Sequence, residues 1–265
     1  MKIGIIGCAG RMGRMLAMEV MAAEGCELAG GTERPGSDAV GRDIGELLGQ
    51  GPLGVTVVGE PERLFEVADA VIDFSVPIAS ARHAALAAGR GCGLVIGTTG
   101  LEAEHDEAIL QASGRIPIVK AGNMSLGVNL LLAAVEQMAR ALGPSFDVEI
   151  VEMHHRHKVD APSGTALMLG RAAAAGHAAD LDAVARRSRD GITGARPQGE
   201  IGFATLRGGD VVGDHTVIFA GDGERIEIGH KASSRVVFAK GAVRAALWLN
   251  HRPPGLYSMR DVLGV

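Results

Sequence analysis

Five consecutive residues, His154-His155-Arg156-His157-Lys158, bring three imidazoles and two cations to one point of the chain, directly after the apolar run Val148 to Val151. A strand that ends in such a cluster delivers proton-transferring and anion-binding groups to a single place. The chain then turns through Asp160-Ala161-Pro162, and Ser163-Gly164-Thr165 opens a helix that continues as ALMLGRAAAA. Ser163 suits the N-cap, and the outward amides of Gly164 and Thr165 at the positive end of the helix suit a carboxylate. In strand geometry His154, Arg156 and Lys158 would share one face and His155 and His157 the other, so all five serve one ligand only if the strand has already ended. Taken singly, each of these residues reads equally well as a solvated surface group. A metal centre is a rival chemistry, but no two of the histidines are four apart and no Cys lies nearby, so no metal is expected.

A second constellation lies at the start, where KIGII is followed at once by GCAGRMG. Gly7, Gly10 and Gly13 would let the backbone turn tightly, approach a pyrophosphate and pack the following helix on its strand. The spacing is GxxGxxG rather than GxGxxG, and alone it fits an ordinary tight turn as well as a dinucleotide site. Glu33, twenty residues beyond Gly13 at the end of the next apolar segment, could accept from adenosine ribose hydroxyls. Arg34 beside it could instead hold a ribose phosphate.

These residues need elements to carry them. Lys2 to Ile6 reads as a buried strand, Arg14 to Ala23 as a helix and Glu27 to Gly31 as a second strand. The alternation continues with the strand Thr56 to Val58, a short helix from Pro61, the strand Ala70 to Phe74, a helix from Ile78 to Ala88 and the strand Leu94 to Ile96. A helix (Glu102 to Ser113) and a strand (Ile116 to Val119) follow. Such alternation predicts a Rossmann-like doubly wound parallel sheet, with ligands beyond the carboxyl ends of its strands. After the helix Leu126 to Leu142 the pattern changes to strands at Asp147 to Glu152, Glu200 to Leu206, Asp214 to Ala220 and Glu224 to His230. This predicts a smaller α+β domain with a mixed or antiparallel sheet. Asp182 to Gly199 reads as a long loop, and an apolar helix from Phe238 to Leu249 closes the chain. The division expected is 1–125 with 235–265 for dinucleotide binding, and 126–234 for substrate binding and oligomerisation.

The 265 residues suffice for one large domain or two modest ones. With 47% hydrophobic residues, 22% charged and a net charge of −5, the chain is read as soluble, without the basic surface a nucleic acid partner needs. Cys8, Cys26 and Cys92 show no CxxC spacing, which speaks against disulfides and zinc and for a reducing cytoplasm. The apolar start is too short and too soon broken for a signal peptide, and no run approaches the length of a membrane helix.

The segments GCAGRMGR, GTERPGS, VIDFSVP, VIGTTG, AGNMSLGVN, EMHHRHKVDAPSGTA, GEIGFATLRGGDVVGDHTVIF, EIGHKASSR and GAVRAALWL carry a resemblance that runs nearly the whole length. In them the chain resembles the dihydrodipicolinate reductase (4-hydroxy-tetrahydrodipicolinate reductase) family of bacterial lysine and diaminopimelate biosynthesis. The histidine stretch through PSGTA is specific to that family in a way the glycine loop is not. The resemblance implies a dinucleotide-binding domain joined by two hinges to a substrate domain whose sheet builds a homotetramer. It implies that Gly7, Cys8, Ala9, Gly10, Arg11 and Met12 bind the pyrophosphate region, Glu33 the ribose and Arg34 the extra phosphate of NADPH. Gly97, Thr98 and Thr99, with Ala121, Gly122, Asn123 and Met124, would line the nicotinamide side. His154 matches the family's proton donor or acceptor, Lys158 its proton donor, and His155, Gly164 and Thr165 its contacts to a small dicarboxylate substrate.

Two departures bear on this assignment. Val76 stands where several relatives carry an Arg that grips the NADPH phosphate, and Met124 replaces a common Phe. Arg34 is then alone beside Glu33, so both NADH and NADPH are expected to work. Two other readings compete: a semialdehyde dehydrogenase of similar architecture, which needs a cysteine nucleophile beside a base, and a non-catalytic dinucleotide sensor whose histidines bind a regulatory anion.

Overall fold

The structure, a computed structural model, describes residues 1–265. Strand β1 (Lys2–Ile6) runs through the glycine turn into α1 (Arg11–Ala22) and on to β2 (Glu27–Thr32). The short elements α2 (Ile44–Leu48), β3 (Val57–Val58) and α3 (Pro61–Val67) come next, then β4 (Ala70–Asp73), α4 (Pro77–Arg90), β5 (Gly93–Ile96), α5 (Ala103–Ser113) and β6 (Pro117–Lys120). Helix α1 starts three residues earlier than the apolar spacing predicts, since Gly10 is already its N-cap. Pro77 at the first turn of α4 and αL glycines after α2 and α4 supply the local start and stop signals.

Helix α6 (Leu126–Leu142) leads to β7 (Asp147–His154), α7 (Gly164–Gly176), α8 (Leu181–Val184), β8 (Ala185–Arg186), β9 (Ile201–Arg207), β10 (Gly213–Gly221) and β11 (Glu224–Ala232). The stretch expected as loop from Asp182 to Gly199 therefore begins with a helical turn and a two-residue strand. The first is capped by Asp180, and the second pairs in parallel with the start of β9. The remainder is irregular but held down. Arg189 reaches Glu149 at 2.9 and 3.0 Å, Arg196 reaches Glu149 at 3.0 Å and Asp147, and Arg186 reaches Glu200 at 2.7 Å.

The expectation that an apolar helix closes the chain is corrected. Helix α9 (Val236–Leu249) is followed by β12 (Gly255–Tyr257) and α10 (Met259–Leu263). Three residues preceded by two prolines carry too little alternation to be read as a strand. Backbone pairing of Gly255 to Tyr257 along Pro117 to Val119 makes it one.

The chain divides into two compact units, Met1–Leu126 with Val236–Gly264, and Gly127–Arg235. The first holds a seven-stranded sheet in the order β12-β6-β5-β4-β1-β2-β3, every pair parallel. The order reverses between β1 and β4, which is where a doubly wound sheet opens a crevice at its carboxyl edge. Its strands are apolar on both sides because helices cover both faces: Ile3, Ile5 and Ile72 pack with α1 and α9, and Val71, Leu94, Ile96 and Ile118 with α4 and α5. The second unit has a mixed five-stranded sheet, β11-β10-β7-β9-β8, in which β7 lies antiparallel to β10 and parallel to β9. Val148, Ile150, Val217 and Phe219 meet Ala166, Leu169 and Ala173 of α7 on its covered face. No helix is long and apolar enough to cross a membrane.

Candidate active site

The alternation of β7 places the chemistry of the second unit. Val148, Ile150, Glu152 and His154 all point to the covered face, and the last two are polar. The strand ends at His154, so the rest of the histidine cluster is free of strand alternation. Glu152, 1% exposed, accepts from four donors. His154 Nδ1 lies 2.6 Å from Oε2, Arg207 donates to both oxygens at 2.8 and 2.9 Å, and the Ser163 amide donates to Oε1 at 3.0 Å. Burial alone would raise the Glu152 carboxyl, but the bonds from Arg207, His154 and Ser163 outweigh it and hold the group below its usual range. His154 is lowered by burial, against the pull of Glu152 in the opposite direction.

Arg207 comes from the end of β9, in register with His154, and also donates to the Asp160 carbonyl at 2.7 Å. His215, from β10, stands edge-on to His154 with ring centroids 5.1 Å apart and meets Ser163 Oγ at 3.1 Å. Burial, reinforced by the charge of His154, pushes His215 down to about 4, so it is neutral at ordinary pH. Ser163 caps α7 as expected, accepting from the Ala166 amide, and the Ala161–Pro162 peptide just before it is cis. A cap of this kind contributes about 1 kcal/mol. The helix then opens with Gly164 and Thr165. Lys158 pairs with Asp160 at 2.8 Å, and His155 Nε2 lies 3.4 Å from Arg235.

The sequence reading missed Glu152, Arg207 and His215. For Glu152 a signal existed: an acid in phase with two core residues on a strand is either buried with partners or an error of register. Arg207 and His215 lie about fifty residues from Glu152 and Ser163, and only strand pairing brings them in.

In the first unit the glycine turn is shaped by its backbone. The amides of Gly7 and Cys8 both donate to Thr32 O, that of Gly10 to Gly7 O and that of Ala9 to Glu33 Oε1 at 2.9 Å. The first-turn amides of Arg11 and Met12 remain as outward donors at the positive end of α1. Gly7 has φ +71°, and a Cβ on Gly13 would overlap the Gly7 carbonyl, so helix and turn touch backbone to backbone. Such a cradle, with Glu33 at its rim, fits a dinucleotide pyrophosphate and ribose.

Several residues expected to face a cofactor turn inward with their side chains. Cys8 is buried, and desolvation pushes its thiol up to about 12; Cys92 is likewise at about 12. Held as thiols by burial, neither is poised as the nucleophile a semialdehyde dehydrogenase needs, and burial raises the half-buried Cys26 thiol as well. Met124 is 1% exposed and packs in the core, so only its backbone can face a ligand. Thr98 Oγ1 accepts from Ser80 Oγ at 2.7 Å and the Ser75 amide at 3.1 Å, and a Cβ on Gly97 would strike the Phe74 ring. The Asn123 side-chain Oδ1 accepts from the Ser125 amide at 2.8 Å, bracing the loop that also carries Ala121 and Gly122. Gly100 after Thr99 has φ +75°. Arg34 is exposed and Val76 is 56% exposed.

Comparison with known proteins gives the family. Residues 1–124 match the family model described as dihydrodipicolinate reductase, N-terminus, and residues 127–263 the one described as its C-terminus. The 4-hydroxy-tetrahydrodipicolinate reductase of Parvibaculum lavamentivorans is 57% identical over 100% of this chain and 98% of its own. That of Ruegeria pomeroyi is 55% identical over 99% and 98%. Among solved structures, the dipicolinate-bound dihydrodipicolinate reductase from Paenisporosarcina sp. TG-14 superposes with a TM-score of 0.78 at 25% identity, covering 98% of both chains. With both halves matched and both relatives aligned end to end, the chain belongs to the dihydrodipicolinate reductase family.

Proposed function

We propose that this chain is a 4-hydroxy-tetrahydrodipicolinate reductase, forming tetrahydrodipicolinate at the expense of NAD(P)H in lysine and diaminopimelate biosynthesis. The observation that carries this reading is the Glu152-bound His154 beside the capped start of α7, with Arg207 on the same carboxylate and Lys158 paired to Asp160, whose backbone carbonyl Arg207 also holds. A small ring with two carboxylates needs cations and free amides for its charges, and its reduction needs an acid within reach.

The unit carrying the glycine turn binds the dinucleotide, with the amides of Arg11 and Met12 at the pyrophosphate and Glu33 at the ribose. Once bound, the dihydronicotinamide supplies a hydride to a conjugated carbon of the substrate. His154 Nε2 and Lys158 Nζ are the groups that protonate the electron-rich ring left behind, while Gly164, Thr165 and His155 hold its carboxylates. Separate H154Q and K158M variants identify which of the two gives the final proton, as the one whose loss removes the acid requirement from the pH profile. Arg34, exposed and without an Arg at position 76 to assist it, accepts NADPH without excluding NADH. A homotetramer built through the sheet of the second unit and a cytoplasmic location follow from the family, and light scattering tests the former.

The test is NADH and NADPH oxidation followed by absorbance, with substrate generated in place by dihydrodipicolinate synthase from pyruvate and aspartate semialdehyde. Substrate-dependent loss of both cofactors, at rates within about 10-fold of each other, is expected. Binding of both without oxidation of either would replace the reductase by a dinucleotide sensor, and oxidation of NADPH alone would overturn the dual use.

A further inference from the structure

We propose that Glu152 is a positioning residue that fixes His154 as the Nδ1–H tautomer and, through the same carboxylate, holds the N-cap amide of α7, so that one buried anion sets both proton delivery and carboxylate capture. The catalytic half of this statement rests on the reductase reading above; the tautomer does not.

The argument is one of donor counting. An ionised carboxylate only accepts, and it offers about four lone-pair sites. Glu152 has four donors on it: two from Arg207, one from the Ser163 amide, and His154 at 2.6 Å. The proton on the His154 contact must therefore come from the imidazole, which places it on Nδ1 and leaves the lone pair of the neutral ring on Nε2. Nε2 is the nitrogen nearest Gly213, where a Cβ would lie 2.9 Å away, so a side chain at 213 would crowd that nitrogen. The orientation of a proton-carrying histidine by a buried acid is a general device, and its loss leaves the wrong tautomer in place.

The second half comes from the other oxygen. Oε1 takes the amide of Ser163, whose side chain caps α7 and meets His215. Replacing Glu152 by Gln keeps the size but leaves one oxygen where two were needed. Whichever way the amide lies, its NH2 meets at least one Arg207 N–H and either His154 Nδ1 or the Ser163 amide. In the first case His154 is driven to the Nε2–H tautomer, and in the second the helix start loses its anchor.

The groups facing His154 are Glu152 on its own strand, Arg207 from β9, His215 from β10 and Lys158 from the loop that follows. Glu152 alone among them raises its affinity for a proton; Lys158, Arg207 and burial lower it. Where protonated His154 is the active form, activity is present below its pKa and lost above it. Removing the Glu152 charge therefore moves the alkaline limb of kcat/KM toward lower pH.

The experiment compares full-length wild type, E152Q and E152D. Nitrogen-15 histidine NMR reads the tautomer, with His154 assigned by its disappearance in H154Q. Calorimetry with dipicolinate reads carboxylate binding, and steady-state kinetics read the pH profile. Expected are Nδ1–H in the wild type and, in E152Q, either Nε2–H or a retained Nδ1–H with the Ser163 amide unanchored, according to which way the Gln amide lies. Turnover should fall on the order of 100-fold, by analogy with acids that orient a catalytic histidine. Dipicolinate should bind more weakly, the limb should shift to lower pH, and E152D should recover part of each. A folded E152Q that keeps the wild-type tautomer and limb would overturn the proposal. So would Nε2–H in the wild type, a result that needs no folded variant. If the wild type oxidises neither cofactor, the reductase reading falls on that assay alone, and the tautomer still decides whether Glu152 orients His154.

Discussion

In the first unit the groups offered to an anion are main-chain amides at a glycine turn, with the Glu33 carboxylate at its rim and Arg14 donating to the Ala9 carbonyl. In the second unit the charged groups are side chains, a buried Glu152 braced by a partly exposed Arg207. Backbone donors need no protonation state and lose little entropy when a ligand arrives, which suits a pyrophosphate whose own charge is the same before and after the hydride leaves the nicotinamide. Buried ionisable groups are costly to hold, but they can move a proton. The contrast follows the division of labour between holding a dinucleotide and completing a reduction.

The difference is broken most sharply by removing the proton carriers. Replacing both His154 and Lys158 by Ala is expected to lower kcat by about 10²- to 10⁴-fold, while NADH affinity, read by fluorescence titration, stays within about 2-fold of wild type. Parallel loss of cofactor binding would mean that the two regions are not separate in function. Next in size is R207A, which strips a buried carboxylate of two of its four donors. Breaking a buried pair by removing one partner costs about 3 kcal/mol, and a lowered melting temperature by calorimetry checks it; no change would show that Glu152 takes up a proton at little cost. On the backbone side, G13A places a methyl against the Gly7 carbonyl. Overpacking of this kind costs about 1–3 kcal/mol, and NADH binding should weaken with dipicolinate binding untouched.

These two regions were also unequally legible. The glycine turn, Glu33 and the parallel alternation are local patterns, and β1, α1, β2, β4 and β5 lie close to where apolar spacing places them. The PSGT cap was visible for the same reason, since Ser163 acts within one turn of helix. Arg207 and His215 were not, because nothing in the composition of β9 or β10 marks which residue lands opposite Glu152 or Ser163; the register of β7 between two partners decides it. Strand β12 was hidden likewise, being made by pairing with β6 rather than by its own sequence. Cys8, Thr98 and Met124 show the converse. They stand where the family resemblance expects ligand-lining residues, yet their side chains serve the core or an internal hydrogen bond.

Smaller effects sharpen the contrast further. His215 is neutral in the folded protein, near 4, and takes a proton on unfolding below about 6.5. The unfolded chain binds more protons in that window, so stability is full above it and declines as pH falls from about 6.5 toward 4. Glu152, held below its usual range, extends the loss to more acid pH. Melting temperatures of wild type and H215Q across this range should converge as pH falls; parallel curves would contradict it. The smallest effect expected is that of R34A, which should raise KM for NADPH by about 10-fold and leave NADH within about 2-fold. An equal effect on both would place Arg34 away from the ribose phosphate.

The central claim is that the nicotinamide held by the first unit reduces the ring held by the second. NADH deuterated at the transferring position of its ring, incubated with enzyme and synthase-generated substrate, tests this in one mass spectrum of the product. The account requires one deuterium in tetrahydrodipicolinate for each NADH oxidised. Product without the label, or bound cofactor with no product, would contradict it.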